Sequence, residues 1–345
     1  MGTHSTRNRR LFRLVALVLF GSLFTTACAG APSDGADSGE SAGAPDGYPK
    51  RPIELNVVYP AGGGMDVTAR ALAASAKEFT GDEFRVVNRE GAGGLVGHTF
   101  LAKQARTDGY ELGVIAVDFL VFDVTLRDAE FGQDDFAPLA FIAFEPVVQV
   151  VRADSNLGDK NFDEIIDNAK ANPGELRVGV IPNTTFDVFT KVVSNQTGAE
   201  FTTVPFDGGK PGVTALLSGD LDITNAFYSE VQPYIDSGDL VPIAISDNTP
   251  YEALPDVPTM SDLGIDVPDT TFGAGRMVVA PADMDPAFQE HLAELFVEVM
   301  SSDSAIEQFQ KVGAPLAPAG IDEARELYKT AFDELPASLK LDTDG

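Results

Sequence analysis

The chain has 345 residues, of which 44% are hydrophobic and 22% charged, a composition typical of a globular protein. Its formal net charge is −29, and it becomes 20 − 53 = −33 when the four arginines of residues 1–27 are set aside. This acidity argues against nucleic-acid binding, which needs a basic face, and against attachment to anionic lipid by charge. Any anion site must therefore be a local one, built from backbone amides and a few cations.

The N-terminal residues have the pattern of a secretory signal. Four arginines precede an apolar run over residues 14–24 that is too short to span a bilayer. Cys28, the only cysteine, follows Thr25-Thr26-Ala27 and resembles a bacterial lipobox, although leucine is usual where Thr25 stands. We predict that residues 1–27 are a lipoprotein signal peptide and that Cys28 becomes the lipidated first residue. The alternative is an ordinary signal peptide with an incidental cysteine.

Residues 28–48 are rich in Gly, Ala, Ser, Asp and Pro and have almost no bulky apolar side chain. Such a segment cannot bury a core, so we predict a flexible tether. A lipid anchor followed by a tether would hold the folded part outside the cytoplasm, beside the cell membrane.

A glycine-rich turn joins the first predicted strand, Ile53 to Tyr59, to a predicted helix, Val67 to Phe79, with Gly81 as its C-cap. Glycine lets the backbone approach a ligand closely, and the N-terminal end of a helix favours an anion. We predict that this turn holds a carboxylate or similar anion by its backbone amides. The alternative is a simple tight turn in which Asp66 only caps the helix. The candidate ligand-binding residues here are Tyr59, Ala61, Gly62, Gly63, Gly64 and Asp66.

A second glycine-rich turn follows the next predicted strand, Phe84 to Asn88, and precedes a predicted helix that ends at about Ala105. A third strand covers residues 110–116, so the order is βαβαβ and the sheet should be parallel. Loops that follow parallel strands lie at one carboxyl edge, where ligands bind. Gly93 and Gly94 are therefore expected near the first loop.

These segments, taken together, resemble the Bug-type extracytoplasmic receptors, the solute-binding proteins of tripartite tricarboxylate transporters. The resemblance covers nearly all of residues 52–335 and keeps both motif order and spacing. The motifs are Pro60-Ala61-Gly62-Gly63 with Asp66, Asn88-Arg89-x-Gly91-Ala92-Gly93-Gly94 with Gly97, Asp108-Gly109-Tyr110, Val204-Pro205-Phe206-Asp207-Gly208-Gly209 and Ala215 to Asp222.

The resemblance implies an α/β, two-lobed, periplasmic-binding-protein-like fold with a ligand cleft between the lobes. Lobe 1 would comprise residues 49–145 and 249–345, and lobe 2 residues 146–248, with three C-terminal helices packed on lobe 1. The ligand would usually be a small carboxylate held by backbone amides and waters, and Asp66 could face an amino or hydroxyl group on it. The implied partners are the membrane permease subunits of a tripartite transporter; no cofactor and no metal are expected, and the receptor should be a monomer.

The middle of the chain departs from the family pattern. Asn183, Thr184 and Thr185 follow the predicted strand Leu176 to Ile181, where family members have a Gly/Ser/Ala-rich turn. These residues can cap the next helix or offer donors to a ligand. Asp118 is expected at the same edge as Asp66, where two acids could pair with an amine; the alternative is a helix cap.

Three further candidates follow predicted strands in lobe 2. They are Phe206 and Asp207 after Phe201 to Val204, and Asn225 after Leu221 to Thr224. Arg276 is expected to be a surface arginine paired with one of the many acids.

The sequence gives little support for an enzyme. Residues 29–345 contain two histidines, His98 and His291. The same residues contain neither a Gly-x-Ser-x-Gly motif nor a His-Glu-x-x-His motif. We predict an extracytoplasmic solute-binding lipoprotein that delivers a small, carboxylate-bearing metabolite to a permease. The alternatives are an extracytoplasmic enzyme on a similar α/β frame and a ligand receptor for a membrane sensor.

Overall fold

The computed structural model describes residues 43–267 and 272–338, with side chains up to residue 336. The predicted signal peptide, Cys28 and most of the tether lie outside the described residues. No helix in the described ranges is long and apolar enough to cross a membrane.

Strands and helices alternate along most of the chain. The strands are β1 (Ile53–Val57), β2 (Phe84–Asn88), β3 (Glu111–Ala116), β4 (Phe136–Arg152), β5 (Arg177–Val180), β6 (Thr202–Pro205), β7 (Ile223–Phe227), β8 (Leu240–Ile245) and β9 (Gly273–Pro281). The helices are α1 (Gly64–Thr80), α2 (Leu95–Lys103), α3 (Val117–Leu126), α4 (Phe162–Ala171), α5 (Thr185–Thr197), α6 (Gly209–Ser218), α7 (Tyr228–Asp236), α8 (Pro286–Met300), α9 (Asp303–Lys311) and α10 (Ile321–Ser338).

The strands form one continuous sheet in the order β2-β1-β3-β9-β4-β7-β5-β6, with β8 also paired to β4. In its first part, β1 lies parallel between β2 and β3, as the βαβαβ pattern predicts. The antiparallel strand β9 then joins β3 to residues 136–146 of β4.

The second part of the sheet begins where β4 changes partners. Residues 147–151 of β4 pair with β7, and residues 148–152 pair with β8 on the other side. Strand β5 lies parallel between β7 and β6. The 17-residue strand β4 is thus shared by both parts of the sheet. The predicted lobe limits stay a prediction; this strand contains the predicted limit between residues 145 and 146.

Apolar side chains explain how these elements pack. Every residue of β3 is buried, as expected for a strand covered on both faces. Helix α1 buries a row that includes Ala69, Leu72 and Ala76, and it ends at Gly81, whose φ of 80° is the left-handed conformation predicted for a C-cap. Helices α8 and α9 contact α1, and α10 contacts α3, so the C-terminal helices return to the first part of the sheet as predicted.

Among the element boundaries that differ from prediction, two concern candidate site residues. Helix α1 begins at Gly64 rather than Val67, because Gly63 is its N-cap, so Asp66 lies in its first turn. Strand β7 continues to Phe227, three residues beyond the predicted end at Thr224. Asn225 therefore lies inside a buried strand and not after it.

Candidate ligand-binding site

A cleft separates the first glycine loop, between β1 and α1, from the starts of α6 and α7. The cavity inside it is small, about 30 Å³, so the walls of the cleft lie close together. Its walls come from both parts of the sheet, and thus from segments far apart in sequence. The lining residues are Tyr59, Pro60, Gly63, Gly64, Met65, Phe119, Ile181, Phe186, Gly208, Gly209, Lys210, Pro211, Phe227 and Glu230.

Asp66 holds the first loop in shape from behind the cleft. Its carboxylate accepts hydrogen bonds from Gly62 N–H at 2.8 Å, from two nitrogens of Arg70 at 2.8 Å each, and from Asn88 Nδ2 at 3.0 Å. Burial alone would raise the pKa of Asp66, but these hydrogen bonds lower it below its ordinary value. Both oxygens are thus engaged, and Asp66 stabilises the turn through Gly62, the glycine whose φ is 79°.

Gly64 directs its N–H across the cleft to a carboxylate that belongs to the protein itself. This amide donates to Oε1 of Glu230 at 3.2 Å, and Phe227 N–H donates to Oε2 at 3.1 Å. Burial raises the pKa of Glu230, although these two N–H groups and the charge of Lys210 oppose the shift. The carboxylate of Glu230 thus lies at the start of α1, where the anion of a ligand was predicted; binding of a ligand there stays a prediction.

Glu230 is a site residue that the sequence analysis missed. It lies at the third position of α7, where a glutamate often accepts from the N-cap backbone N–H, as it does here from Phe227. That spacing could have indicated the local hydrogen bond. It could not have indicated Gly64, which is 166 residues away.

Four of the residues that line the cleft form an aromatic cluster. Phe119 lies 5.4 Å from Tyr59, 5.8 Å from Phe186 and 6.0 Å from Phe227, measured between ring centroids. Phe186 and Phe227 are themselves 5.0 Å apart. The lining thus combines two backbone donors, Gly64 N–H and Phe227 N–H, with an apolar aromatic surface.

Lys210 is the cationic side chain among the described lining residues. Its ammonium group lies 2.7 Å from the point where a Cβ on Gly62 would be. The Lys210 side chain therefore extends from α6 to the first loop. The residue is exposed and lies at the mouth of the cleft, where it can attract an anion.

The second glycine loop supports the first instead of lining the cleft. Gly93 and Gly94 have φ values of 64° and 114°, and a Cβ on Gly94 would lie 3.0 Å from the Tyr59 ring. Arg127 donates hydrogen bonds to the carbonyls of Ala92, in this loop, and Pro182, after β5. The loops from the two parts of the sheet are therefore joined through one guanidinium group.

Arg276 is fully buried, which corrects the expectation of a surface arginine. It forms an ion pair with Glu145, also fully buried, and donates to Thr68 and Ser229. Ser229 N–H in turn donates to Glu145 at 2.8 Å. Burial lowers the pKa of Arg276 to about 9, so it remains charged at neutral pH beside Glu145. The network ties α1, β4, β9 and the start of α7 together directly behind Gly64.

The turn after β5 acts as a helix cap, one of the two predicted roles. The Thr184 hydroxyl accepts from Phe186 N–H at 3.3 Å and donates to Ile181 O at 2.7 Å. Thr185 donates to Gly273 O at 3.1 Å, and Asn183 N–H donates to Asp187 at 3.0 Å. A ligand contact by these residues stays a prediction.

Asp66 and Asp118 lie in different surroundings, since Asp66 is bonded to Gly62, Arg70 and Asn88 behind the first loop. Asp118 accepts from Gly275 N–H at 2.7 Å and lines a separate space beneath α10, with Phe141 and Phe144. Burial raises the pKa of the Asp118 carboxyl to about 7. The two acids are not brought together, because α3 begins at Val117 and turns Asp118 towards β9.

The remaining candidates lie around the cleft. Phe206 packs against the apolar cluster of the second part of the sheet, and Asp207 is exposed. The Asn225 side-chain amide donates to Phe186 O at 2.7 Å and Thr190 Oγ1 at 2.8 Å, within the protein. Of the predicted site residues, Tyr59, Gly63 and Gly64 line the cleft.

Comparison with known proteins places this geometry in a family. Residues 68–331 match TctC, described as the tripartite tricarboxylate transporter family receptor. Protein BugT of Bordetella pertussis is 32% identical over 290 residues, which cover 81% of this chain and 86% of BugT. The chain belongs to the tripartite tricarboxylate transporter receptor family. The predicted resemblance is thus confirmed, and so is the prediction of a receptor rather than an enzyme.

Two solved structures show the same fold. An R. palustris protein with adipate has a TM-score of 0.76 and 24% identity, with 85% of this chain and 98% of that chain covered. MatC from Rhodopseudomonas palustris with bound malate has a TM-score of 0.74 and 21% identity, with coverages of 84% and 99%. The predicted periplasmic-binding-protein-like α/β fold is confirmed.

Proposed function

We propose that this protein is an extracytoplasmic receptor that captures a small carboxylate-bearing metabolite in the cleft described above. The observation that carries the proposal is the Gly64 N–H, which begins α1 and points at a carboxylate inside the cleft. A site that binds the carboxylate of a side chain has the donors that the carboxylate of a ligand needs. The adipate and malate bound by the two structural neighbours are of this chemical class.

The second element of the proposal is delivery to the permease subunits of a tripartite tricarboxylate transporter, and the family to which the chain belongs supports it. Ligand bound between the two parts of the sheet would favour the form in which those parts are drawn together. A permease that recognises this closed form would then accept loaded receptors in preference to empty ones.

Anchoring by a lipid on Cys28 is the third element of the proposal, and it rests on the signal-peptide and lipobox pattern of residues 1–28. Cys28→Ser is expected to release the protein from the membrane fraction, while its ligand binding in solution stays unchanged. Detection of a diacylglyceryl-modified N-terminal peptide by mass spectrometry is the direct measurement. An unmodified mature N-terminus would contradict the anchor.

Binding is best tested by a thermal-shift screen of residues 29–345 with dicarboxylates, tricarboxylates, aromatic acids, amino acids, sugars and amines. A ligand at 100 times its Kd should add about 2.7 kcal/mol to the free energy of unfolding. The chain has no tryptophan, so a dye should report unfolding. We expect stabilisation by carboxylates. Stabilisation by amines or sugars alone would overturn the proposed ligand class.

A further inference from the structure

Glu230 lies where two backbone donors at the starts of different helices converge. Its carboxylate bridges Gly64 N–H in α1 and Phe227 N–H before α7. It also touches the start of α6, because a Cβ on Gly209 would lie only 2.1 Å from Oε2. A Cβ on Gly63 would lie 3.2 Å from Oε1. Glycines at these positions leave just enough room for one carboxylate among the N-terminal ends of three helices.

The charges around Glu230 leave little capacity for further anions. Lys210 is the cation that faces it from α6, and its charge favours the ionised carboxylate of Glu230. Arg276 lies behind Gly64, but Glu145 already neutralises it. The rest of the lining is largely apolar, with Phe119, Phe186 and others. A second uncompensated carboxylate in this space would be desolvated beside a like charge, which is unfavourable.

We propose that Glu230 is a specificity-determining residue that competes with the ligand carboxylate for the Gly64 amide. A ligand binds by displacing the Glu230 carboxylate, and the cleft selects monocarboxylates with an apolar body over dicarboxylates. This inference rests on the proposed function, since it assumes that carboxylates enter this cleft. Under this inference, the specificity of the cleft depends on the Glu230 side chain in α7, which accepts a hydrogen bond from Gly64 N–H at the start of α1.

Two pairs of acids test the inference, because the members of each pair differ in the presence of the second carboxylate. They are hexanoate with adipate, and benzoate with terephthalate. Their affinities are measured by calorimetry for the wild-type protein, Glu230→Gln and Glu230→Ser. Glu230→Gln keeps an acceptor for Phe227 N–H, and the shorter serine leaves Gly64 N–H free. Glu200→Gln, at an exposed position in the loop between α5 and β6, is the matched control.

We expect the wild-type protein to bind at least one monocarboxylate more tightly than its dicarboxylate partner. Both Glu230 variants should bind these acids about tenfold or more tightly, because a like-charge contact across a buried site is removed. The largest gain should be for the dicarboxylates, and Glu200→Gln should bind as the wild type does. Far-ultraviolet circular dichroism checks that each variant is folded.

The possible failures are distinguishable. If the acids bind but the Glu230 variants bind them equally or more weakly, the inference is wrong and the proposed function stands. If hexylamine binds the wild-type protein and is lost in Glu230→Gln, Glu230 recognises a cation and the inference is overturned. If no carboxylate of the screen or of these pairs binds the wild type or a Glu230 variant, the proposed function fails and the inference fails with it.

Discussion

Single residues in the first loop serve two separate purposes. Gly63 and Gly64 bring the backbone to the cleft, whereas Asp66 accepts from Gly62, Arg70 and Asn88 and keeps the loop in place. The first purpose depends on the absence of a side chain and the second on a charge. Substitutions at the two kinds of position should therefore have different consequences.

Gly63→Val should abolish or strongly weaken carboxylate binding without unfolding the protein. Gly63 has an extended backbone, with φ −80° and ψ 171°, so valine is tolerated there. Its Cβ would lie 3.2 Å from Glu230, and its methyl groups would project into the cleft. Gly320→Val is the matched control, because a Cβ there meets no atom within 4 Å. Calorimetry with the carboxylate found by the screen gives the result, and unchanged affinity in Gly63→Val would contradict the site.

Asp66→Asn should lower the free energy of unfolding at neutral pH by about 1–3 kcal/mol, because it removes a charged acceptor from a buried network. The folded-state pKa of Asp66 is depressed, so its contribution is present above the unfolded-state value of about 3.9 and is lost as the pH falls below it. Urea unfolding at neutral and acidic pH should show the two proteins converging in acid. A difference that stays constant with pH would show that the charge of Asp66 is not responsible.

At the scale of elements, the buried pair of Arg276 and Glu145 joins β9 to β4 where β4 changes partners. Arg276 also donates to Thr68 in α1, and Ser229 connects the pair to α7. Four elements are therefore positioned by one polar network enclosed in an apolar core. Burying two charges costs free energy that largely offsets their attraction. We therefore expect the pair to fix the relative positions of these elements and to add little net stability.

Glu145→Gln should destabilise the protein by about 3–5 kcal/mol, because Arg276 would remain buried without a charged partner. The double variant Glu145→Leu/Arg276→Met should recover much of this loss, since neither charge is then left alone. Chemical unfolding of both variants is the measurement, with Glu200→Gln as a surface control expected to change stability by less than about 0.5 kcal/mol. A single variant as stable as the control would show that Arg276 is compensated from elsewhere.

At the scale of the whole molecule, the two parts of the sheet are held together across the cleft by polar contacts as well as by the shared strand β4. Glu230 reaches Gly64, and Arg127 reaches both Ala92 and Pro182. Because these contacts are a few hydrogen bonds, a ligand can replace them with its own hydrogen bonds at a small cost in free energy. Such a molecule is suited to close on a ligand by a shift in population.

Arg127→Lys should leave the fold intact but weaken the closed form. Lysine keeps a positive charge near Asp123, which lies 3.1 Å from Arg127, but its compact ammonium cannot span both carbonyls as the guanidinium does. We expect a larger radius of gyration for the ligand-free protein by small-angle X-ray scattering and carboxylate binding weaker by about threefold to tenfold. Identical scattering and affinity would show that this contact does not contribute to closure.

The amino-acid sequence by itself determined the local features of this protein. The βαβαβ order, the C-cap at Gly81 and the helix cap at Thr184 all follow from periodicity and turn chemistry within short windows. Motif order was also sufficient to predict the family. Each of these depends on residues that are close in the chain.

Only the tertiary structure decided which side chains meet. It placed Glu230 on the Gly64 amide across 166 residues, buried Arg276 against Glu145, and turned Asp118 away from Asp66. It also continued β7 through Asn225, whose amide then bonds within the core. Such contacts join elements that are distant in sequence, so they depend on strand order and on how the two parts of the sheet approach, which no local pattern encodes.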